Sequence, residues 1–552
     1  MAYSAVGAGD IGWSRRDRMN EERGRGVEEN GAEAARRRTF AIISHPDAGK
    51  TTLTEKLLLY SGSVHLAGSV KARRSGSSTI SDWMAMEQQR GISISSTVLA
   101  FDYEGCRCNL LDTPGHADFS EDTYRTLAAV DSAVMVIDAA RGVEAQTRKL
   151  FRVCRDRGIP ILTFVNKMDR PGMPPLELLA VVEDALGIEA VPVNWPIGEG
   201  MEFQGVYDRQ TRTVHRYQRV AHGARQAPAV VVTLDESAVE KLLGVAAARQ
   251  LREDVALLDG VGLAFDKERF LSGQQTPVFF GSALTNFGVD LFLQEFVSLA
   301  PAPVPQASPL FAGFVFKIQS NLNPHHRDSL AFVRITRGVF ERDEPVLHVR
   351  TQRRLRLGHA STLFGNERET VETAYPGDVI GVANPGFFAI GDTLCVGPEP
   401  EAIALPMFQP EHFAILHHDD VQKRKAFLKG LAQLVQEGAI QLLHPAEAVR
   451  NDPILAAVGR LQFDVLQFRL RAEYGVETRV EPLPHEVARW VFGSADAMAT
   501  LTAYGGRICT DEAGRTVVLL HNEHSLGFCT EQNPLLRFLR RDEIEARVAD
   551  EV

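Results

Sequence analysis

Three polar motifs, each set directly behind an apolar run, constrain this chain more than any other feature. The first run, Phe40-Ala41-Ile42-Ile43, has the look of a buried strand and leads into Ser44-His45-Pro46-Asp47-Ala48-Gly49-Lys50-Thr51. This fits G-x-x-x-x-G-K-[ST] except that Ser44 stands where the first glycine belongs. A helix predicted from Thr52 to Tyr60, ending near Gly62, places its N-terminus and the loop N–H groups around phosphates. Lys50 then reaches the β and γ phosphates, and the Thr51 hydroxyl is a ligand for Mg²⁺. Read alone, the same stretch is also a plain glycine-containing turn between strand and helix.

The second motif, Asp112-Thr113-Pro114-Gly115-His116, follows Leu110-Leu111 and puts a carboxylate at a strand end, where an Mg²⁺ ligand acting through water belongs. Gly115 is suited to offering a backbone N–H to a γ-phosphate and to moving when that phosphate leaves. The third motif, Asn166-Lys167-Met168-Asp169, follows Ile161-Leu162-Thr163-Phe164-Val165. The Asp169 carboxylate can accept from both N1–H and N2–H₂ of guanine, an edge that adenine lacks, and a buried acceptor left unmet costs about 1–3 kcal/mol. Asn166 is placed to tie loops together near the base, and the Lys167 stem to lie on its face. Three motifs in order on three strand ends point to GTP rather than ATP. Gly281-Ser282-Ala283-Leu284, after Pro277-Val278-Phe279-Phe280, can offer N–H groups to the guanine carbonyl, although alone it looks like any strand-to-helix turn. A polar stretch ending in Arg90-Gly91-Ile92-Ser93 is a candidate mobile loop whose Ser93 hydroxyl completes the Mg²⁺ shell when GTP is bound.

Apolar runs separated by segments long enough for crossover helices predict a parallel, doubly wound sheet covered on both faces. At 552 residues the chain is too long for one core, and about three or four domains are expected. Residues 1–37, rich in Gly, Glu and Arg without an apolar face, read as a disordered leader. A G domain is expected over 38–301, with an inserted subdomain at about 190–270, because the interval from Asp169 to Ser282 exceeds one crossover. The linker Ala300-Pro301-Ala302-Pro303-Val304-Pro305 ends it. Short alternating runs over 307–400 predict a β-barrel, and mixed helical and strand patterns over 407–552 an α+β domain.

A hydrophobic share of 44% and a charged share of 24% exclude a largely disordered or collagenous chain. The net charge of -11 excludes a polycation that coats nucleic acid, so an RNA partner must meet local clusters such as Arg350, Arg353, Arg354 and Arg356, or Lys423, Arg424 and Lys425. Six scattered cysteines argue for reduced thiols rather than a secreted scaffold. No apolar run long enough for a membrane span and no signal peptide are seen, so a cytoplasmic protein is expected.

These residues resemble the G domain of the translational GTPases, whose switch elements carry R-G-I-[TS] and D-T-P-G-H. The stretches Phe40 to Lys50, Ser81-Asp82-Trp83-Met84, Asp118 to Leu127, Phe314 to Gln319, Asn323 to Asp328 and Gly459-Arg460-Leu461-Gln462-Phe463-Asp464 are similar to the bacterial peptide chain release factor 3 family. That resemblance implies a monomeric, ribosome-associated GTPase of translation termination that uses GTP and Mg²⁺ and promotes dissociation of class-1 release factors, with no membrane or DNA partner. It implies that His116 orients the attacking water. The alternatives are an elongation-factor-G-like or ribosome-protection GTPase, or a non-catalytic ribosome-binding module. The resemblance runs from about Arg37 to at least Trp490.

Overall fold

The computed structural model describes residues 30–64, 86–87, 92–219, 225–234, 237–304, 308–321, 329–364, 367–401, 403, 405–406, 408–446 and 452–544. Ser81 to Met84, Arg90, Gly91 and Asn323 to Asp328 lie outside the described residues.

The apolar runs are strands because both of their faces are covered. The first part of the chain carries β1 (Arg37–Ser44), β2 (Thr97–Tyr103), β3 (Cys106–Asp112), β4 (Ser132–Asp138), β5 (Ile161–Asn166), β6 (Glu189–Pro192), β7 (Asn194–Ile197), β8 (Gly205–Asp208), β9 (Thr213–Tyr217), β10 (Ala229–Thr233) and β11 (Gln275–Phe280). The main sheet runs β2-β3-β1-β4-β5-β11-β6. Phe40, Ile42, Val134 and Val136 face one layer, and Ala41, Ile43, Ala133, Met135 and Ile137 face the other, the period-2 alternation of a doubly covered sheet. Parallel pairing brings the ends of β1, β3, β4, β5 and β11 to one edge. The expected parallel, doubly wound sheet also carries one antiparallel strand, β2, which pairs with β3. Glu104 and Gly105, with φ of 44° and 76°, form a two-residue turn, and a connection that short can only make a hairpin.

The expected leader is also corrected at its end. Residues 30–35 are helical, and Arg37 opens β1 with its guanidinium paired to Glu33 and, at 3.2 Å, to Asp378. Farther on, β7 to β10 form a separate antiparallel sheet whose Trp195, Tyr207 and Val214 join one of the two cores of the main sheet.

The middle of the chain is an antiparallel, barrel-like unit around β12 (Ala312–Ser320) and β13 (Ser329–Arg337). Val315, Ile318, Val333 and Ile335 fill its interior. Its outer face carries Phe314, Phe316 and Phe332 onto Val98, Leu111 and Ala129 of the first unit. A register shift between Val315 and Lys317 re-aims the Lys317 side chain into that junction. There its Nζ donates to the Ser95 hydroxyl at 2.5 Å and to the Ser96 carbonyl.

The last part is an eight-stranded antiparallel sheet with the helices Arg424–Gln436 and Leu461–Tyr474 packed on it through Phe427, Leu431, Leu466 and Leu470. Among the described residues no helix is long and apolar enough to cross a membrane.

Candidate active site

The edge where the parallel strands end gathers the predicted motifs. Between β1 and the helix Lys50–Tyr60, Asp47 (φ 65°) and Gly49 (φ 95°) adopt left-handed backbone, which curls the loop and turns successive N–H groups inward. Among the described residues, no acceptor takes the backbone N–H of Asp47, Gly49, Lys50 or Thr51. The loop is therefore a cradle of free donors at a helix N-terminus, the arrangement phosphate oxygens need. A Cβ on Gly49 would lie 2.3 Å from the Asn166 amide nitrogen, so only glycine fits. His45, by contrast, is fully buried, and burial pushes its imidazole pKa down against the pull of Glu144. Ser44 bonds the His45 carbonyl at 2.9 Å.

Lys50 Nζ lies 2.5 Å from Asp112 Oδ1, and both side chains are buried. Thr113 donates to the Ile42 carbonyl at 2.7 Å and so holds the end of β3 against β1. Gly115 passes His45 and Pro46 with ordinary spacing: an added Cβ would sit 3.5 Å from their backbone atoms. Among the described residues of the chain itself, then, no neighbour demands glycine there. His116 is one-third exposed, and its Nδ1 accepts the Asp118 N–H at 3.2 Å. Ser93 is half-buried beside Ile94, which packs with Met86, Phe119 and Val465.

Asn166 is the hub of the site. Its Nδ2 donates to the Ala48 carbonyl at 2.9 Å, and its Oδ1 accepts from the Lys167 N–H at 2.8 Å and the Ala283 N–H at 2.9 Å. One amide thus ties the phosphate loop to both base-side loops. Lys167 Nζ reaches the Asp47 carbonyl at 2.5 Å and Asp138 Oδ2 at 2.7 Å. Burial works against charge on Asp138, yet the Lys167 ammonium and the Ala140 N–H hold its carboxyl below the usual range. Asp138 is a site residue that the sequence reading misses, although a carboxylate closing the run Ala133 to Ile137 is the same signature as Asp112. Met168 is buried in the core and offers the site only backbone.

Asp169 Oδ1 accepts the Ser282 hydroxyl at 2.6 Å, which ties the carboxylate to the 281–284 turn. The offer of N–H groups from 281–284 is narrowed by the structure. The Ser282 N–H is committed to the Phe287 carbonyl and the Ala283 N–H to Asn166, while Leu284 is half-exposed. Of the basic clusters, Arg353, Arg354, Arg356, Lys423, Arg424 and Lys425 are exposed. Arg350 is exposed too, with its guanidinium held on Asp392 at 2.5 and 2.9 Å.

The chain is similar to known proteins along nearly its whole length. Residues 35–302 match the family model of the elongation factor Tu GTP binding domain, 310–397 that of elongation factor G domain 2, and 403–530 that of the class II release factor RF3 C-terminal domain. A crystal structure of a Thermus thermophilus protein aligns with a TM-score of 0.67 at 22% identity, covering 86% of this chain and 72% of that one. Peptide chain release factor 3 of Gloeobacter violaceus is 55% identical over 92% of this chain and 98% of its own length. That of Nostoc punctiforme is 54% identical over 91% and 94%. With such identity along nearly the whole of both chains, and the nucleotide motifs gathered at one sheet edge, this protein belongs to the peptide chain release factor 3 family of translational GTPases.

Proposed function

We propose that the protein is a cytoplasmic, monomeric GTPase that acts on the ribosome at translation termination and promotes dissociation of class-1 release factors. The observation that carries this is the Asn166 hub, which links a cradle of free phosphate donors to a guanine-selecting carboxylate in a chain of this family. The N–H groups of Asp47, Gly49, Lys50 and Thr51 hold the β and γ phosphates, and Lys50 exchanges Asp112 for them. Thr51, Ser93 and, through water, Asp112 are the residues that would hold Mg²⁺, which neutralises phosphate charge when bound. His116 orients the attacking water. Thr113, Pro114 and Gly115 position His116 and present a backbone donor toward the γ-phosphate. Turnover is expected to be slow without the ribosome, which would complete the site with a further positive group at the transferred phosphate.

The test is multiple-turnover peptide release from termination complexes with limiting class-1 release factor and GTP, and His116→Ala as control. Faster turnover that needs this protein and His116 supports the reading. Ribosome-stimulated hydrolysis without faster release would move the protein to another step of translation.

Base choice is separately testable. In Asp169→Asn an amide oxygen and an amide NH₂ replace two acceptors, so guanine meets one matched and one clashing group. GTP affinity is expected to fall by about a hundredfold, from a buried mismatch of roughly 3 kcal/mol. Xanthosine triphosphate, whose C2 carbonyl accepts from that NH₂, is expected to bind better than GTP. Equilibrium titration with both nucleotides decides it, and retained GTP preference would refute the role given to Asp169.

A further inference from the structure

His116 stands on a segment held by the third part of the chain as well as by its own. Behind it, Ala117–Phe119 form a single 3₁₀ turn that runs into the helix Ser120–Leu127. The Asp118 N–H donates to His116 Nδ1 at 3.2 Å, and Asp118 Oδ1 lies 3.3 Å from the same nitrogen. The other carboxylate oxygen, Oδ2, accepts the Leu461 N–H at 2.8 Å, at the first residue of the helix Leu461–Tyr474. One residue therefore holds the His116 ring through its backbone N–H and, through its carboxylate, caps a helix more than three hundred residues away.

The approach is built for contact. A Cβ on Gly459 would fall 2.1 Å from Asp118 Cγ, so the loop before the helix comes this close only because it has no side chain there. Next to Asp118, Phe119 is buried against Val465 of the same helix and Ile94. A loop bearing a catalytic ring is otherwise free to move by an ångström or more, and such misplacement of a reacting group is costly.

We propose that Asp118 is a positioning residue for GTP hydrolysis: it sets the His116 ring and makes that setting depend on docking of the helix Leu461–Tyr474. The inference rests on His116 as the water-orienting residue. Docking of the third part thereby enters the rate of the chemical step rather than the affinity for nucleotide.

The experiment uses the full-length chain with saturating ribosomes and reads steady-state GTP hydrolysis, together with the affinity for a fluorescent GDP analogue. Four variants are compared: His116→Ala, Asp118→Ala, Asp118→Asn and Gly459→Ala. Asp118→Ala and Gly459→Ala are expected to lower the stimulated kcat roughly tenfold, with KM for GTP and GDP affinity within about twofold of the parent. Asp118→Asn keeps an oxygen that can cap Leu461 and is expected to recover most of the rate. Gly459→Ala lies outside the nucleotide site and reports on the coupling even where Asp118→Ala fails to fold. An unchanged kcat in Gly459→Ala and in folded Asp118→Ala, with His116→Ala inactive, overturns the inference and leaves the site reading standing. Loss of nucleotide affinity in step with kcat, or no recovery in Asp118→Asn, also overturns it. Full activity of His116→Ala overturns the site reading itself.

Discussion

Gly49→Ala is expected to abolish guanine nucleotide binding at micromolar concentration while the protein still folds. Gly49 has a φ of 95°, where an L side chain is strained by roughly 1–2 kcal/mol. The added Cβ would also lie 2.3 Å from Asn166 Nδ2, and Asn166 has nowhere to go. Its amide holds the Ala48 carbonyl and accepts from Lys167 and Ala283, so moving it unties three loops and strands buried polar groups at about 1–3 kcal/mol. Together these amount to about 2–5 kcal/mol taken from binding, at the midpoint several hundredfold in affinity. Gly115→Ala is the matched control. Its Cβ meets neighbours at 3.5 Å, and GDP lacks the γ-phosphate that Gly115 serves, so GDP affinity is expected to stay near that of the parent. Calorimetric titration with GDP checks both. Gly49→Ala binding GDP within about tenfold of the parent would show that Asn166 can step aside, and the hub would lose its meaning.

The contrast between those two glycines marks how far the sequence can be read. Phosphate loop, Asp112 and the Asn166 to Asp169 motif are each contiguous, and each follows a run whose apolarity places it on a buried parallel strand. Local pattern plus that topology delivers them to one edge. Long-range partners leave no such trace. Nothing in the neighbourhood of Lys317 says that a register shift will send its ammonium to Ser95 and Ser96, more than two hundred residues earlier. Arg350 looks like part of a solvated basic cluster with Arg353, Arg354 and Arg356, because only the fold puts Asp392 opposite it. The hairpin partner β2 escapes for a different reason: the turn residues Glu104 and Gly105 that join it to β3 are not among the strongest hairpin pairs. Asp138 is legible in principle, since the carboxylate that closes the run Ala133 to Ile137 carries as much information as the apolar strand before it.

Arg469→Ala is expected to cost about 3–5 kcal/mol of stability and to loosen the barrel-like unit from the third part of the chain. Arg469 is buried between two carboxylates, with Nη1 at 2.5 Å from Glu437 Oε2 and Nε at 2.6 Å from Glu473 Oε1. Burial alone disfavours its charge, but the two carboxylates outweigh that and raise its pKa, so it remains a cation throughout the working range. The same carboxylates reach across the junction. Glu437 Oε1 accepts the Ser320 N–H at 2.8 Å, and Glu473 Oε2 accepts the Asn321 amide at 2.7 Å, both at the end of β12. Truncating the arginine leaves two facing anions short of a cation in a dry junction, the most costly way to break a buried pair. Arg469→Lys keeps the charge but cannot span both carboxylates with a planar fork, so an intermediate loss is expected. Denaturant unfolding and limited proteolysis of the 398–411 connection are the readouts. The double variant Arg469→Ala/Glu437→Gln should lose clearly less than the sum of its single changes, because one uncompensated charge is gone. A loss below about 1 kcal/mol for Arg469→Ala would mean that water repairs the junction, and that the barrel is held to the third part by packing alone.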